Sequence, residues 1–303
     1  MAGNAKSMTV PEQDIEQAIR KIDPSWRLQK TQPLGGRACA LLVSTGAAAQ
    51  RRLILLTHSQ RDRERNPQIA RDEFHLLEIL KEAGLPVPDA LHLNETHQPP
   101  FLITSFAEGS SDFGDKPILA HCHALADILR SIHATDLGKF DLSFLPDFTN
   151  AIAEQQDARS PGQRQIQAAM RRALPRVEFN GQVLLHGDFW PGNLLWGDGA
   201  LAAIFDWEDA MLGDPLADLG KSRLEILWAL GFDAMNAYTA RYLQLNRKLN
   251  ADALPFWDLW GASRLSHFAS FVPEPNQFPR MKSQYDAFVS TAICRLEALY
   301  EGQ

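Results

Sequence analysis

The sequence predicts an α+β protein with two lobes: a β-rich N-terminal lobe over residues 1–107 and a mainly helical C-terminal lobe over residues 108–303. Two patterns lead to this prediction. Short strand-like runs separated by glycine turns fill much of the first hundred residues, whereas a helical repeat of apolar residues dominates from about residue 118 onward. A loop-like stretch, GSSDFGD at residues 109–115, lies where the two patterns meet.

The first lobe is predicted as a small antiparallel sheet that one helix interrupts. A helix over residues 11–22 comes first, because its apolar residues form one stripe after Pro11. The interrupting helix, residues 69–83, ends at Gly84, Pro86 and Pro88. The predicted strands are Trp26–Thr31, Ala38–Ser44, Arg52–Thr57, Ala90–Leu93 and Pro100–Phe106.

The second lobe is predicted to be helical apart from one β insertion. Three short strands, Val183–Leu185, Leu194–Trp196 and Leu201–Phe205, make up this insertion. The last two strands are joined by Gly197-Asp198-Gly199, which is a strong hairpin signal. The predicted helices are residues 118–133, 163–173, 215–229, 233–244, 254–270 and 281–300.

The composition argues against binding to nucleic acid or to anionic membranes. The chain has 303 residues and a formal net charge of -7, whereas binding to polyanions needs clustered Lys and Arg. The one basic cluster, RDRERN at residues 61–66, also carries acids and is predicted to be a solvated loop.

Three cysteines and the absence of long apolar runs indicate the cellular setting. Cys39, Cys122 and Cys294 are far apart and form no CxxC pair, so neither a disulfide framework nor a zinc site is indicated. The first ten residues are polar, and no apolar run reaches the roughly 18 residues of a membrane span. We therefore expect a cytoplasmic protein without a membrane partner, either a monomer or a homodimer.

The candidate site lies in LLHGDFWPGNLLW, residues 184–196, and AAIFDWEDA, residues 202–210. The hairpin between them folds the chain back, so Asp188, Asn193 and Asp206 are expected to converge. Two carboxylates and an amide oxygen suit Mg²⁺, with Asn193 and Asp206 as ligands. Asp188 would then accept a proton from an incoming hydroxyl group.

The pattern H-G-D-x-x-x-x-N followed by I-x-D resembles the aminoglycoside phosphotransferase and choline kinase-like family, which is related to protein kinases. The resemblance implies a bilobal protein kinase-like fold, ATP or GTP with Mg²⁺, and an acceptor that is the hydroxyl group of a small molecule. It makes Asp188 the catalytic base and Asn193 and Asp206 the metal ligands. His186 and Asp218 would brace the catalytic loop.

Further segments extend the resemblance into the first lobe. DEFHLLEIL is similar to the family's helix in that lobe, which makes Glu73 the ion-pairing glutamate. PFLITSFAEG, residues 100–109, resembles the hinge segment, whose backbone at Ser105, Phe106 and Ala107 would meet adenine.

One residue departs from the family pattern. The family carries Lys or Arg on the third strand to hold the nucleotide phosphates, and that position falls on Leu56. Strand alternation puts His58 and Arg52 on the same face, so either could substitute. Arg37, after the Gly35-Gly36 turn, could also reach phosphate.

Other functions and other sites remain open at this point. The missing cation favours a non-catalytic nucleotide- or metabolite-binding module of pseudokinase type as the main alternative. A metal-dependent hydrolase using His186 is a third reading, although no second His stands at ligand spacing. GKS at residues 220–222 fails as a phosphate-binding loop, because Pro215 occupies the first glycine position.

The acceptor is not specified by the sequence. An aminoglycoside-, choline- or sugar-like molecule would fit, since fold resemblance does not determine the substrate. An acceptor pocket could include Glu208 and the aromatic residues Trp228, Trp257 and Trp260, which could cage a quaternary ammonium group. At helical spacing these aromatic residues are more often part of a core.

Overall fold

The computed structural model describes residues 10–46, 49–114, 116–147, 160–270, 272 and 274–300. Chain contacts divide the protein into two compact units. Unit 1 comprises Met1–Ser110 and Leu194–Glu208, and unit 2 comprises Ser111–Asn193 and Asp209–Gln303. The segment Leu194–Glu208 therefore belongs to unit 1, although in sequence it follows Ser111–Asn193 of unit 2. The boundary between residues 107 and 108 stays a prediction.

Unit 1 is built on a five-stranded antiparallel sheet, whose strands lie in the order Arg27–Gly35, Ala38–Ser44, Gln50–Thr57, Phe101–Ser105 and Ala90–Asn94. One face of the sheet carries Leu41, Val43, Leu53 and Leu55, which pack against Ile19 of the first helix to form a hydrophobic core. The elements are α1 (Glu12–Ile22), β1 (Arg27–Gly35), β2 (Ala38–Ser44), β3 (Gln50–Thr57), α2 (Gln60–Arg65), α3 (Ile69–Glu82), β4 (Ala90–Asn94) and β5 (Phe101–Ser105).

The predicted hairpin is confirmed. Strands β7 (Leu194–Gly197) and β8 (Ala200–Ile204) pair antiparallel, with Leu194 opposite Ile204. Asp198 and Gly199 form the turn with φ of 50° and 77°, which is the left-handed backbone that a two-residue hairpin requires. The hairpin joins unit 1 through Ile204, whose N–H donates to the carbonyl of Pro86 at 2.7 Å.

Unit 2 is mainly helical. Within its described residues, the short strands β6 (Val183–Leu185) and β9 (Met211–Gly213) pair antiparallel. Gly220 and Gly261 allow two of its helices to touch, since a Cβ atom on Gly220 would lie 2.5 Å from the carbonyl carbon of Trp257. The helices are α4 (Ile118–His133), α5 (Pro161–Ala173), α6 (Pro215–Leu230), α7 (Phe232–Leu245), α8 (Leu254–Arg264) and α9 (Phe278–Tyr300).

The α+β class and most predicted elements are confirmed, with two corrections. The helix predicted over residues 254–270 ends at Arg264, and Phe268–Ser270 form a separate 3-10 turn. The RDRERN stretch was predicted to be a loop, but most of it lies in the short exposed helix α2, which Ser59 caps by accepting the N–H of Asp62. Among the described residues, no helix combines the length and the apolar character needed to cross a membrane.

Candidate active site

A bidentate ion pair between Arg37 and Glu73 lies at the centre of a charged cluster in unit 1. Nη1 and Nη2 of Arg37 donate to Oε2 and Oε1 of Glu73 at 2.7 and 2.6 Å. Arg37 follows the turn at Gly35 and Gly36, whose positive φ angles of 101° and 54° favour glycine. The fork-to-fork geometry fixes the orientation of the guanidinium as well as its position.

Asp206 and Glu208 add two further carboxylates to this cluster. Nε and Nη2 of Arg37 donate to Oδ1 of Asp206 at 2.9 and 2.7 Å, and Nε lies 3.3 Å from Oε2 of Glu208. Asp206 has a φ of 68°, an unusual value for a residue other than glycine. Such backbone strain often occurs at functional sites, which fits the predicted role of Asp206.

His58 is a second partner for Glu73. Its Nε2 lies 2.8 Å from Oε2 of Glu73, and both side chains are almost fully buried. Burial would raise the pKa of Glu73, but the charge of Arg37 and the hydrogen bond from His58 bring this pKa far below its ordinary value. Glu73 is therefore held as a carboxylate.

The unit 1 cluster contains more carboxylates than permanent cations. A single guanidinium contacts Glu73, Asp206 and Glu208, and the side chain of Asp206 is 32% exposed. A divalent ion with oxygen preference would compensate this negative charge. Among the described residues, no group of three or more His, Cys, Asp or Glu side chains is arranged to hold a metal ion, so Mg²⁺ at Asp206 stays a prediction.

Arg37 places a cation against Glu73 that Leu56 cannot provide. Leu56 is paired with Ala38 across β2 and β3, and Arg37 immediately precedes Ala38, so the guanidinium reaches Glu73 from the turn that leads into β2. Of the three substitutes predicted, Arg37 and His58 contact Glu73. Arg52 instead stacks over the Phe106 ring, 4.0 Å from its centroid, and pairs with Glu108.

Two of the three residues predicted to meet adenine, Ser105 and Phe106, line a groove in unit 1, and Ala107 does not border it. The volume of this groove is about 500 Å³, and it is bordered by Leu42, Arg52, Ser105 and Phe106 among others. Ser105 ends β5 and is anchored by the hydrogen bond that its Oγ accepts from the N–H of Asp89 at 2.8 Å. This hydrogen bond links Ser105 to Asp89, the residue just before β4.

The catalytic-loop candidate in unit 2 is held by Asp218. Oδ2 of Asp218 accepts the N–H of His186 at 2.7 Å, and Oδ1 accepts the N–H of Gly187 at 2.8 Å. Nε2 of His133 approaches Oδ2 of the same carboxylate at 3.2 Å. Asp218 thus contacts two consecutive N–H groups of the loop, and its bracing role in catalysis stays a prediction.

His186 and Gly187 shape the loop around the candidate base. His186 is fully buried, and its Nδ1 accepts the N–H of Asp188 at 3.3 Å. Gly187 has a φ of 78°, and a Cβ atom there would lie 2.0 Å from the carbonyl oxygen of Asp209. Only glycine fits this position.

Both oxygens of the Asp188 carboxylate have donors. Nζ of Lys221 contacts Oδ1, and Nδ2 of Asn193 donates to Oδ2 at 3.0 Å and to the backbone carbonyl of Asp188 at 2.9 Å. The amide oxygen of Asn193 therefore faces away from Asp188. Burial would raise the pKa of Asp188, but the nearby Lys221 ammonium holds this pKa below its ordinary value.

Lys221 and Glu225 were missed by the sequence analysis, which considered GKS only as a phosphate-binding motif. Lys221 is buried on α6, and its Nζ lies 3.0 Å from Oε2 of Glu225. Asp218, Lys221 and Glu225 follow one another at i, i+3 and i+7, which places them on one stripe of the helix. This stripe of charged residues, which follows Gly213-Asp214-Pro215, was the signal in the sequence that could have indicated Lys221 and Glu225.

The aromatic residues predicted for the acceptor pocket lie in a packed core. Trp228, Trp257 and Trp260 are 6%, 0% and 3% exposed. The indole N–H of Trp228 donates to the carbonyl of Met281 at 3.1 Å. Burial of this degree favours the core interpretation and lends no support to a cage for a cationic acceptor. Glu208, the fourth predicted residue, belongs to the Arg37 cluster.

Comparison with known protein families identifies a match over most of the chain. Residues 33–260 match the model of the phosphotransferase enzyme family, APH. Among curated proteins, homoserine kinase from Pseudomonas aeruginosa is 30% identical over 166 residues, which is 48% of this chain and 50% of that protein. Acyl-CoA dehydrogenase family member 10 from Mus musculus is 27% identical over 190 residues, or 55% of this chain and 18% of that protein. The chain spans half or less of these relatives' length.

Solved structures share the fold. The aminoglycoside phosphotransferase APH(4)-Ia, in a thermostable mutant form with AMP-PNP and hygromycin B, superposes with a TM-score of 0.65 at 18% identity, covering 91% of this chain and 98% of that chain. LicA in complex with AMP superposes with a TM-score of 0.65 at 16% identity and the same coverage. The predicted protein kinase-like fold is confirmed.

Proposed function

We propose, from the premise that this chain belongs to the phosphotransferase enzyme family, that it transfers the γ-phosphate of ATP to a hydroxyl group of a small molecule. The observation that carries this proposal is the environment of Asp188. Its carboxylate is kept ionised beside Lys221 and is oriented by Asn193, on a loop that Asp218 pins through two backbone hydrogen bonds. An ionised, oriented carboxylate is suited to general base catalysis.

In the proposed reaction, Asp188 accepts the proton of the acceptor hydroxyl group. The hydroxyl oxygen forms a bond to the γ-phosphorus while the bond to the bridging oxygen breaks, and ADP leaves with that oxygen. The protein's contribution is mainly to position groups and to compensate charge. Arg37, held by Glu73, is proposed to contact the nucleotide phosphates, with His58 supporting Glu73.

The nucleotide and metal sites are proposed from the same family membership. The backbone of Ser105, Phe106 and Ala107 would meet adenine, and GTP is not distinguished from ATP. Asn193 and Asp206 would hold Mg²⁺, which neutralises phosphate charge when bound. The surplus carboxylates around Arg37 support this donor set, as does the amide of Asn193, whose Nδ2 is used by Asp188 so that its oxygen is left for a cation.

The ion pair of Arg37 argues against the non-catalytic alternative. That alternative was motivated by Leu56, which cannot pair with Glu73. Because Arg37 forms this pair from the turn that leads into β2, the departure at Leu56 no longer gives a reason to expect a protein without activity. The three unpaired cysteines remain compatible with our proposal of a cytoplasmic enzyme.

The test is an ADP-release assay with MgATP and a panel of acceptors: hygromycin B, choline, simple sugars and L-homoserine. The panel spans cationic, neutral and zwitterionic hydroxyl compounds. Asp188→Asn should lower kcat by about 10²- to 10⁴-fold, because the amide cannot accept the proton. Asp127→Asn, which alters an exposed ion pair with Arg241, is the matched control and should leave kcat unchanged. Equal turnover in the wild type and Asp188→Asn would refute the proposal.

A further inference from the structure

A buried ammonium group contacts the proposed base. The side chain of Lys221 is 4% exposed, and its Nζ contacts Oδ1 of Asp188 and lies 3.0 Å from Oε2 of Glu225. Removing a lysine from water costs several kcal/mol, which pairing repays only when the geometry is good. Here two carboxylates share one ammonium.

The side chains of the two carboxylates differ in solvent exposure. The side chain of Asp188 is 29% exposed and that of Glu225 is 12% exposed. Both carboxylates are therefore largely buried beside the same ammonium, and Asp188 keeps the larger exposed fraction. Lys221 thus links Glu225 to the proposed base through one shared ammonium group.

We propose that Lys221 is a positioning residue for Asp188, and that ionisation of Glu225 draws the Lys221 ammonium partly away from the base. The inference rests on the proposed function, because it assumes that Asp188 takes the acceptor's proton. Lys221 fixes one carboxylate oxygen and Asn193 fixes the other, so the side chain is held in a single orientation. Displacing a reacting group by about 1 Å can cost roughly 100-fold in rate.

Glu225 changes its charge near neutral pH, in contact with the Lys221 ammonium. The pKa of Glu225 is raised to about 7, chiefly by burial and also by the charge of Asp188, while Lys221 and Arg264 lower it. Lys221 lies on the same helix as Glu225, Asp188 on the catalytic loop and Arg264 on α8. When Glu225 is protonated and neutral, the Lys221 ammonium forms an ion pair with Asp188 alone. A carboxylate in such an undivided ion pair is a weaker proton acceptor. Turnover should therefore increase as pH increases through about 7.

The experiment measures ADP release from MgATP by Lys221→Met, Lys221→Arg and Glu225→Gln, between pH 5.5 and 9. The acceptor is whichever panel compound gives the highest rate, and water is the second acceptor. Lys221→Met should lower kcat roughly 10- to 100-fold with the KM for ATP unchanged. Lys221→Arg should recover part of the loss, because it retains the cation. Glu225→Gln should lose the rise in kcat near neutral pH.

The control pair is Lys282 with Asp286, which has the same i, i+4 spacing on α9 but is exposed. Lys282→Met should leave kcat and its pH profile unchanged. If Lys221→Met matches wild-type kcat while Asp188→Asn is inactive, the inference is wrong and the proposed function stands. If Asp188→Asn is as active as the wild type, the proposed function itself fails.

Folding is checked by thermal melting. If Lys221→Met does not fold, the kcat and pH profiles of Lys221→Arg and Glu225→Gln test the inference instead. A Glu225→Gln profile that superimposes on the wild-type profile overturns control by Glu225, and a loss of its neutral-pH rise supports it. A role of Lys221 in stability alone would lower the melting temperature without changing the pH profile.

Discussion

Arg37 and Glu73 are joined by two parallel N–H···O hydrogen bonds of 2.7 and 2.6 Å, across 36 positions of sequence. This pair forms although β3 carries Leu56 at the position where the family places its cation. The guanidinium comes instead from Arg37, which lies between the glycine turn and the start of β2. Glu73 therefore has a cationic partner although Leu56 cannot pair with it.

Removing Arg37 should destabilise the protein strongly. Glu73 is 3% exposed, so Arg37→Ala leaves a buried carboxylate with His58 as its remaining polar partner. Breaking a buried pair in this way costs about 3–5 kcal/mol. The free energy of unfolding in urea measures the loss. Arg71→Ala, which breaks the exposed pair with Glu95, is the control and should change stability far less. A loss under about 1 kcal/mol for Arg37→Ala would contradict the prediction.

Asp206→Asn should separate stability from activity. Asp206 is one of three carboxylates on a single guanidinium, so removing its charge should leave the melting temperature unchanged or raise it. If Asp206 holds Mg²⁺, the same change should abolish MgATP-dependent ADP release, because the amide is a neutral and weaker ligand. Arg71→Ala, which breaks an exposed pair in the same unit, tests for general effects on folding. Full activity in a folded Asp206→Asn protein would exclude the metal role.

Asp218→Asn should weaken the catalytic loop. Both carboxylate oxygens accept backbone N–H groups, so replacing one oxygen with an amide nitrogen leaves the N–H of His186 or Gly187 without an acceptor. An unsatisfied buried donor costs about 1–3 kcal/mol. We expect kcat to decrease with little change in the KM for ATP. Asp252→Asn, on an exposed turn of the same unit, is the control. Wild-type kcat in Asp218→Asn would show that the loop needs no brace.

The sequence predicts the fold well because local patterns determine its elements. The hairpin could be predicted from Gly197-Asp198-Gly199, since few dipeptides other than Asp-Gly adopt the required positive φ angles. The helix over residues 254–270 was predicted too long, because the aromatic residues continue beyond Arg264 while the backbone turns. Apolar periodicity does not reveal such an end.

The candidate site was only partly predictable, and the reason is spatial. The H-G-D-x-x-x-x-N motif identifies Asp188 and Asn193, which lie five residues apart on one loop. The contact of Lys221 with Asp188 spans 33 residues and depends on how α6 packs, which no local pattern encodes. The same holds for Arg37, which was one of three candidates to replace the cation until the register of β2 and β3 was known.

Glu225 should make stability depend on pH in a direction opposite to that of ordinary ion-paired carboxylates. Its pKa is raised from 4.5 to about 7 by burial, so between these values the folded protein keeps a proton that the unfolded chain has lost. This contribution to stability is complete below about pH 4.5 and is lost as pH increases to about 7.

Glu225→Gln removes that dependence, because the amide does not titrate. The free energy of unfolding of Glu225→Gln minus that of the wild type should increase by about 2–3 kcal/mol between pH 5 and pH 8. Urea unfolding at four pH values measures this difference, and subtraction cancels the titration of other groups. Glu297→Gln, at an exposed pair with Arg172, is the control. If the difference for Glu225→Gln is independent of pH, Glu225 is ionised in the folded protein at pH 5, and Lys221 is then shared between two carboxylates throughout.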